Sequence, residues 1–343
     1  MIRNYIKVGF LDILPTVPLR KIMICILTFL FAFANNDAFA KTLTTSHPNV
    51  TKRIFLEGTD EKVSFIVIGD WGSGHHHQDE VATAMGRWCL LHDCDFIVST
   101  GDNIYSNGVS SPTDDEFDET WRKVYTHPSI RFLPWYLTVG NHDHVHSNGE
   151  WYQVEYSLIN PRWNMPSLAY AFDMVAGNTT VKFVSIDTVS IEDDKNCATC
   201  MIMLLRSELA SADSSAWKIV YGHYPMHSGG HYGGSDSLRS SVEPILEQNK
   251  VDFYLSGHDH NQQHWAARSG AREHVEHVTT GAGGESQYDQ WSTNVHENED
   301  MGWQMKHFDK HYGFAYFTIS EDEMLLQFVN TYDMVIYHSV RQK

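Results

Sequence analysis

Residues 63–68 (VSFIVI) form a continuous β-rich run that stops at Gly69-Asp70, and residues 78–91 then place Val81, Met85, Trp88 and Cys89 at helical spacing. This pattern predicts a strand, a loop and a helix. The unit recurs: a run over 95–100 enters Gly101-Asp102, a helical segment covers 114–124, and a run over 135–139 enters Gly140-Asn141-His142-Asp143. Buried strands alternating with helices predict a mainly parallel sheet, whose ligands gather at the carboxyl ends of the strands. Residues 168–174 and 181–187 then read as a hairpin joined at Ala176-Gly177-Asn178-Thr179, and a helix is expected over 201–210. Strand-to-loop units return at 217–221 before Gly222-His223 and at 251–255 before Ser256-Gly257-His258. Strand patterns at 274–280, 312–319, 324–329 and 335–340 close the chain. No heptad run, low-complexity linker or fixed-period repeat interrupts residues 60–343, so a single α/β domain around two packed sheets is expected there.

The first 40 residues break this pattern. Arg20 and Lys21 precede the apolar run 22–34, and Ala38-Phe39-Ala40 has the small-x-small form of a signal peptidase site. That run falls short of the roughly 20 apolar residues a bilayer-spanning helix needs. Residues 1–40 are therefore expected to be a cleaved export signal and 41–59 an N-terminal extension, with a retained anchor as the alternative reading. The stretch before Arg20 is long for such a signal, and Met23 is a second candidate start.

The chain carries a formal charge of −18, and removing residues 1–40 takes away four basic and two acidic side chains, leaving −20. Such a surface repels nucleic acid and anionic membranes, so a phosphorylated ligand has to be met by a local concentration of positive charge, which metal ions supply. Cys25 leaves with the signal. The remaining Cys89, Cys94, Cys197 and Cys200 allow three pairings in an exported chain; pairing within each close couple is expected, and a zinc ribbon is the weaker alternative.

Five times a β-run ends in a glycine-led polar cluster: Gly69-Asp70-Trp71-Gly72, Gly101-Asp102-Asn103-Ile104-Tyr105, Gly140-Asn141-His142-Asp143, Gly222-His223-Tyr224-Pro225 and Gly257-His258-Asp259-His260. Glycine lets the backbone turn and approach a ligand closely, and the residues after it deliver donors into the shared space. One such cluster is commonly a plain turn. Five together bring two carboxylates, an amide oxygen, three imidazoles and a phenol to one sheet edge, a donor set suited to two iron, zinc or manganese ions.

In this order the clusters resemble the metallophosphoesterases, and among them the purple acid phosphatases. The first cluster of the wider superfamily normally reads Asp-x-His, whereas Gly72 stands in the histidine's place here and Tyr105 is available instead. Arg162-Trp163-Asn164-Met165-Pro166-Ser167, Gly281-Ala282-Gly283 and Gly313-Phe314-Ala315-Tyr316 resemble the small, tartrate-resistant, mammalian-type members. The resemblance spans about residues 60–343 and implies a sandwich of two mixed sheets flanked by helices, with a dinuclear metal site at the strand carboxyl ends. It implies that Asp70, Asp102, Tyr105 and His260 hold ferric iron, and that Asp102, Asn141, His223 and His258 hold a divalent iron, zinc or manganese ion, Asp102 bridging the two. The implied activity is acid hydrolysis of phosphate monoesters, small or protein-borne, by in-line attack of a metal-bound hydroxide. His142 is favoured as the acid that protonates the leaving alkoxide, with His231 or His227 as the second candidate. The segment 190–196 is short where the tartrate-resistant proteins carry a longer exposed loop, and Cys197-Ala198-Thr199-Cys200 is not part of their pattern.

His75, His76 and His77 are read as a solvated loop before a helix, and His144 and His146 likewise. Asn49-Val50-Thr51 and Asn178-Thr179-Thr180 are glycosylation sequons. A monomer without nucleic-acid partners or stable membrane association is expected, in a secreted, exocytic, vacuolar, lysosomal or periplasmic setting. Three other readings stand beside this one: a manganese or zinc phosphodiesterase or nucleotidase of the same superfamily, a non-catalytic membrane-linked scaffold, and a storage or defence protein with incidental activity.

Overall fold

A strand buried on both faces is mostly apolar, and β2 (Val63–Ile68), β3 (Phe96–Ser99) and β4 (Trp135–Leu137) fit that rule, every residue of each being buried and only Ser64 and Ser99 being polar. In the computed structural model, which describes residues 51–56, 61–268, 274–288 and 294–343, they run parallel side by side. The expected signal and the Asn49 sequon lie outside the described residues. The remaining strands are β1 (Lys52–Phe55), β5 (Trp163–Asn164), β6 (Ala169–Ala176), β7 (Thr179–Ile186), β8 (Trp217–Tyr221), β9 (Phe253–Ser256), β10 (Gln262–Ala267), β11 (Glu276–Thr280), β12 (Trp303–Asp309), β13 (Gly313–Ile319), β14 (Glu323–Asn330) and β15 (Val335–Gln342).

They form two mixed sheets, of order β1-β6-β7-β8-β9-β11-β10-β12 and β15-β14-β13-β2-β3-β4-β5. Each contains a parallel block, β2 to β5 running to the edge of one and β7-β8-β9-β11 inside the other; the remaining pairs are antiparallel except β1–β6. The sheets meet through aromatic packing. Phe65 of β2 stacks between Phe96 and Phe317 at 4.9 and 5.1 Å, and Phe183 of the facing sheet meets it edge-on at 5.3 Å. Such contacts combine burial of large apolar area with a preferred ring geometry, which fixes the two strand-end rims relative to one another.

The α-helices are α1 (His76–Leu91), α2 (Gly149–Tyr156), α3 (Thr188–Glu192), α4 (Ala198–Ala210), α5 (Asp236–Ser241), α6 (Glu243–Gln248) and α7 (Asn294–Asp300), and a 3-10 turn spans His142–His144. The expected hairpin is β6–β7, and its turn leaves Asn178 exposed. Several expectations are corrected. The helix expected over 114–124 is a single π-helical stretch, Phe117–Arg122, and β4 ends at Leu137 so that Thr138 can reach other partners. The chain before residue 60 contributes β1, which pairs in parallel with β6. His76 and His77 open α1 rather than lying in a loop, although His75 and His76 are exposed. Disulfides join Cys89 to Cys94 and Cys197 to Cys200, the second in the first turn of α4, immediately after the short segment 190–196.

Candidate metal centre

All five glycine-led clusters converge. Asp70 follows β2, Asp102 follows β3, and the Tyr105 hydroxyl lies between them, 3.1 Å from Asp70 Oδ1 and 2.8 Å from Asp102 Oδ2. His260 Nε2 is 3.3 Å from the same hydroxyl and 3.4 Å from Asp70 Oδ1. On the other side, His223 Nε2 lies 3.4 Å from Asp102 Oδ2 and 3.0 Å from Asn141 Oδ1, and the His258 ring lies 5.1 Å from the His223 ring. Asp102 thus sits between one group of donors containing Asp70, Tyr105 and His260 and another containing Asn141, His223 and His258.

Backbone strain marks the same residues. Asp70, Asp102 and His258 all have left-handed backbone conformations, with φ of 57°, 51° and 70°. Side chains adopt that conformation at a cost, and such residues cluster where a ligand site requires them. It lets each loop turn back so that peptide N–H groups orient the carboxylates: His258 N–H donates to Asp70 Oδ2 at 2.9 Å, and His142 N–H to Asp102 Oδ1 at 2.9 Å. A Cβ at Gly140 would lie 2.1 Å from Asp102 Oδ1 and one at Gly257 2.4 Å from Asp70 Oδ2, so the carboxylates occupy space that only glycine leaves.

Asp70 and Asp102 are 0 % and 1 % exposed, and among the described residues their ion-pair partners are all histidines. Buried charges need pairing or a metal. Burial opposes ionisation of His223, but Asp102 beside it more than offsets this and lifts the imidazole to about 9. Burial also opposes ionisation of Asp102, and the His223 and His142 charges nonetheless hold it below the usual carboxylate range. Burial, then Asp102 and Asp70, push the Tyr105 phenol well above its ordinary value. The cluster therefore draws positive charge, and its phenol would ionise only beside a strong cation. Asp70, Asp102 and His223 bring ligand atoms within 4.8 Å of one another. Hard oxygen donors and imidazoles in this arrangement fit two borderline-to-hard metal ions.

The supporting groups were not legible beforehand. His223 Nδ1 contacts Thr100 O at 3.0 Å and His260 Nδ1 contacts Ser286 O at 2.6 Å, which leaves each Nε2 facing inward. Thr188 Oγ1 accepts from the N–H groups of His223 and Tyr224, at 3.0 and 2.9 Å. Tyr232 stacks on His258 at 4.3 Å, Tyr288 stacks on His260 at 4.7 Å, and the two hydroxyls are 2.8 Å apart. Only the assembled loops reveal this aromatic wall.

His142 is partly exposed at the rim, its ring 4.4 Å from that of Tyr105, with Nδ1 2.6 Å from Ser106 O and Nε2 4.0 Å from Asp102 Oδ2. Of the other two candidates, His231 is exposed and stacks on Tyr288 at 4.7 Å, whereas His227 is buried against Glu243 at 2.6 Å. His144 is corrected: its side chain is 7 % exposed and its Nε2 lies 3.0 Å from the buried Asp187. Burial lowers its affinity for a proton, but Asp187 and Glu150 raise it to about 9, so it forms a buried ion pair beneath the loop that carries Asn141 and His142.

Residues 63–262 match the family described as calcineurin-like phosphoesterase, and 276–339 match the iron/zinc purple acid phosphatase-like protein C region. The fold and site thus define a metallophosphoesterase. Human tartrate-resistant acid phosphatase type 5 is 32 % identical over 80 % of this chain and 89 % of its own length, and purple acid phosphatase 3 of Arabidopsis thaliana is 33 % identical over 82 % and 78 %. The chain belongs to the purple acid phosphatase family and is an acid phosphatase; membership implies a dinuclear metal centre. Among solved structures, the chain resembles GAP50, the anchor in the inner membrane complex of Plasmodium, with TM-score 0.69 and 22 % identity, covering 82 % of this chain and 88 % of that one. It also resembles purple acid phosphatase PPD1 of yellow lupin, with TM-score 0.61 and 16 % identity, covering 82 % of this chain and 54 % of that one. At these identities the likeness concerns the fold.

Proposed function

We propose that the chain hydrolyses phosphate monoesters at an Fe(III)–M(II) centre, M being iron, zinc or manganese. Asp70, Asp102, Tyr105 and His260 hold the ferric ion, and Asp102, Asn141, His223 and His258 the divalent one. The observation that carries this reading is the Tyr105 hydroxyl seated between two buried carboxylates that have no lysine or arginine partner among the described residues. Three anionic donors match the higher charge of ferric iron, while neutral donors and a shared carboxylate suit a divalent ion. When bound, the ions supply Lewis acidity, drawing charge from the phosphoryl oxygens and making a hydrolytic water nucleophilic at acid pH.

The protein's own groups do the rest. Peptide N–H donors hold the carboxylates in place, and the Thr100 and Ser286 carbonyls fix the His223 and His260 tautomers. His142 donates from Nδ1 to the Ser106 carbonyl, which leaves Nε2 of the protonated ring to deliver a proton to the departing alkoxide. His231, stacked on Tyr288, is assigned contact with the ester's organic part. The two disulfides support an exported protein, and the exposed Asn178 is a glycan acceptor if the host glycosylates. Among the described residues no helix is long and apolar enough to cross a membrane.

Asn141→Ala and His258→Ala should each lower divalent-metal content and activity together, activity by at least about tenfold to a hundredfold, since even outer partners of metal ligands are worth that much. Metal analysis and rates on the same samples check this; full metal and full activity in both variants would sink the assignment. His142→Ala should slow esters with poor leaving groups far more than aryl esters, by up to about 10²–10⁴-fold for the former. Equal slowing of both would remove His142 from the acid role.

A further inference from the structure

On the eight-stranded sheet, behind the loop that carries His223 and His231, lies a second cluster of ligating side chains. His227 follows β8, Glu243 opens α6, and His277 lies on β11; they are 0 %, 5 % and 1 % exposed. His227 Nε2 is 2.6 Å from Glu243 Oε1, and His277 Nε2 is 3.8 Å from the same oxygen. All three ligand atoms lie within 4.8 Å of one another. None of these residues belongs to the seven-residue set above.

The hydrogen bonding does not close without a further group. His227 Nδ1 is 2.9 Å from Asn298 Oδ1, and the Asn298 amide is oriented by donation from Nδ2 to Ser228 O at 2.8 Å. Both ring nitrogens of His227 therefore face acceptors, although a neutral imidazole has one N–H to give. If His227 is protonated, it forms a buried ion pair with Glu243, but this does nothing for His277. Among the described residues neither ring nitrogen of His277 has a hydrogen-bond partner, and its ring is held edge-on to Trp303 at 4.6 Å. Burial, with His227 and His264 nearby, holds that imidazole well below its ordinary proton affinity, so it keeps a lone pair available for a cation.

We infer that His227, Glu243 and His277 bind a structural zinc-class divalent cation, separate from the dinuclear centre. One ion resolves these mismatches except at the ring nitrogen of His277 that does not ligate. His227 needs only its Nδ1–H, donated to Asn298, while Nε2 ligates; the Glu243 carboxylate is neutralised; and His277 gains a partner. Two imidazoles with a carboxylate that can offer both oxygens make a borderline donor set, and complete burial matches a closed structural site. Ligands on tetrahedral zinc lie about 3.3 Å apart given bonds of about 2.0–2.1 Å. Binding thus opens the His227–Glu243 contact slightly and draws His277 in. Such an ion would pin the segment carrying His223 and His231 to α6 and β11.

The test is the zinc content of the full-length mature protein, purified after zinc supplementation, against His277→Gln and Glu243→Gln. The expected result is loss of one equivalent per chain in each variant, with the visible spectrum and the remaining metals unchanged. Equal metal content in wild type and a folded variant overturns the site. Should neither variant fold, wild-type crystals recorded on both sides of the zinc edge decide: an anomalous peak among the three side chains supports the site, and its absence leaves only an ion pair there. The comparison depends on a difference between proteins, so it stands or falls independently of the colour and metals of the dinuclear centre.

Discussion

Replacing Tyr105 with phenylalanine is expected to bleach the protein while leaving it folded. The phenol oxygen sits between Asp70 and Asp102 at 3.1 and 2.8 Å, so its removal deletes one donor and leaves both carboxylates with their peptide N–H partners. A phenolate bound to ferric iron absorbs visible light by charge transfer, and no other donor in the cluster supplies that transition. Far-ultraviolet circular dichroism and the thermal midpoint should be close to wild type. A Tyr105→Phe protein that keeps the visible band would move the chromophore elsewhere and break the division of ligands proposed here.

Asp102→Ala is expected to have the larger effect on catalysis, because Asp102 alone reaches both halves of the cluster. Under the proposed division of ligands, losing it removes an anionic donor from each metal, and with it goes the acceptor that orients the His142 loop through the His142 N–H. Metal ions contribute several kcal/mol of transition-state stabilisation, and about 1.4 kcal/mol corresponds to a tenfold rate. A drop of at least about a thousandfold in kcat/KM is expected, with both metals depleted on analysis. Retention of two metals per chain and of activity within about tenfold would show that Asp102 does not bridge.

The convergence of these donor side chains could be read from the chain because residues at strand ends leave a local signature. A run such as VSFIVI ending in Gly-Asp states both the element and where its last side chain points, and the five repeats at Asp70, Asp102, Asn141, His223 and His258 place the donors at one rim. The parallel blocks of the sheets were legible for the same reason. What depends on contact between distant segments was not. β10 escaped because Gln262, Gln263 and His264 are polar yet buried, with Gln263 held by Ser228 and Asn261 and His264 by Glu276 and Tyr337. His144 reads as one more histidine in a polar loop until Asp187, from the end of β7, arrives beneath it. The choice between His227 and His231 lies beyond spacing. Glu243 and Asn298 draw the first into the interior, and Tyr288 holds the second beside the centre.

The central claim is a tyrosinate-bound ferric ion paired with a divalent one, and a visible spectrum of the purified mature protein, with metal analysis on the same sample, tests it most directly. The account predicts a broad visible absorption that accompanies iron, with the ferric ion and a divalent partner lost from the Asp102→Ala protein. A colourless protein containing only zinc or manganese would contradict it and place the chain's chemistry with the wider metallophosphoesterases.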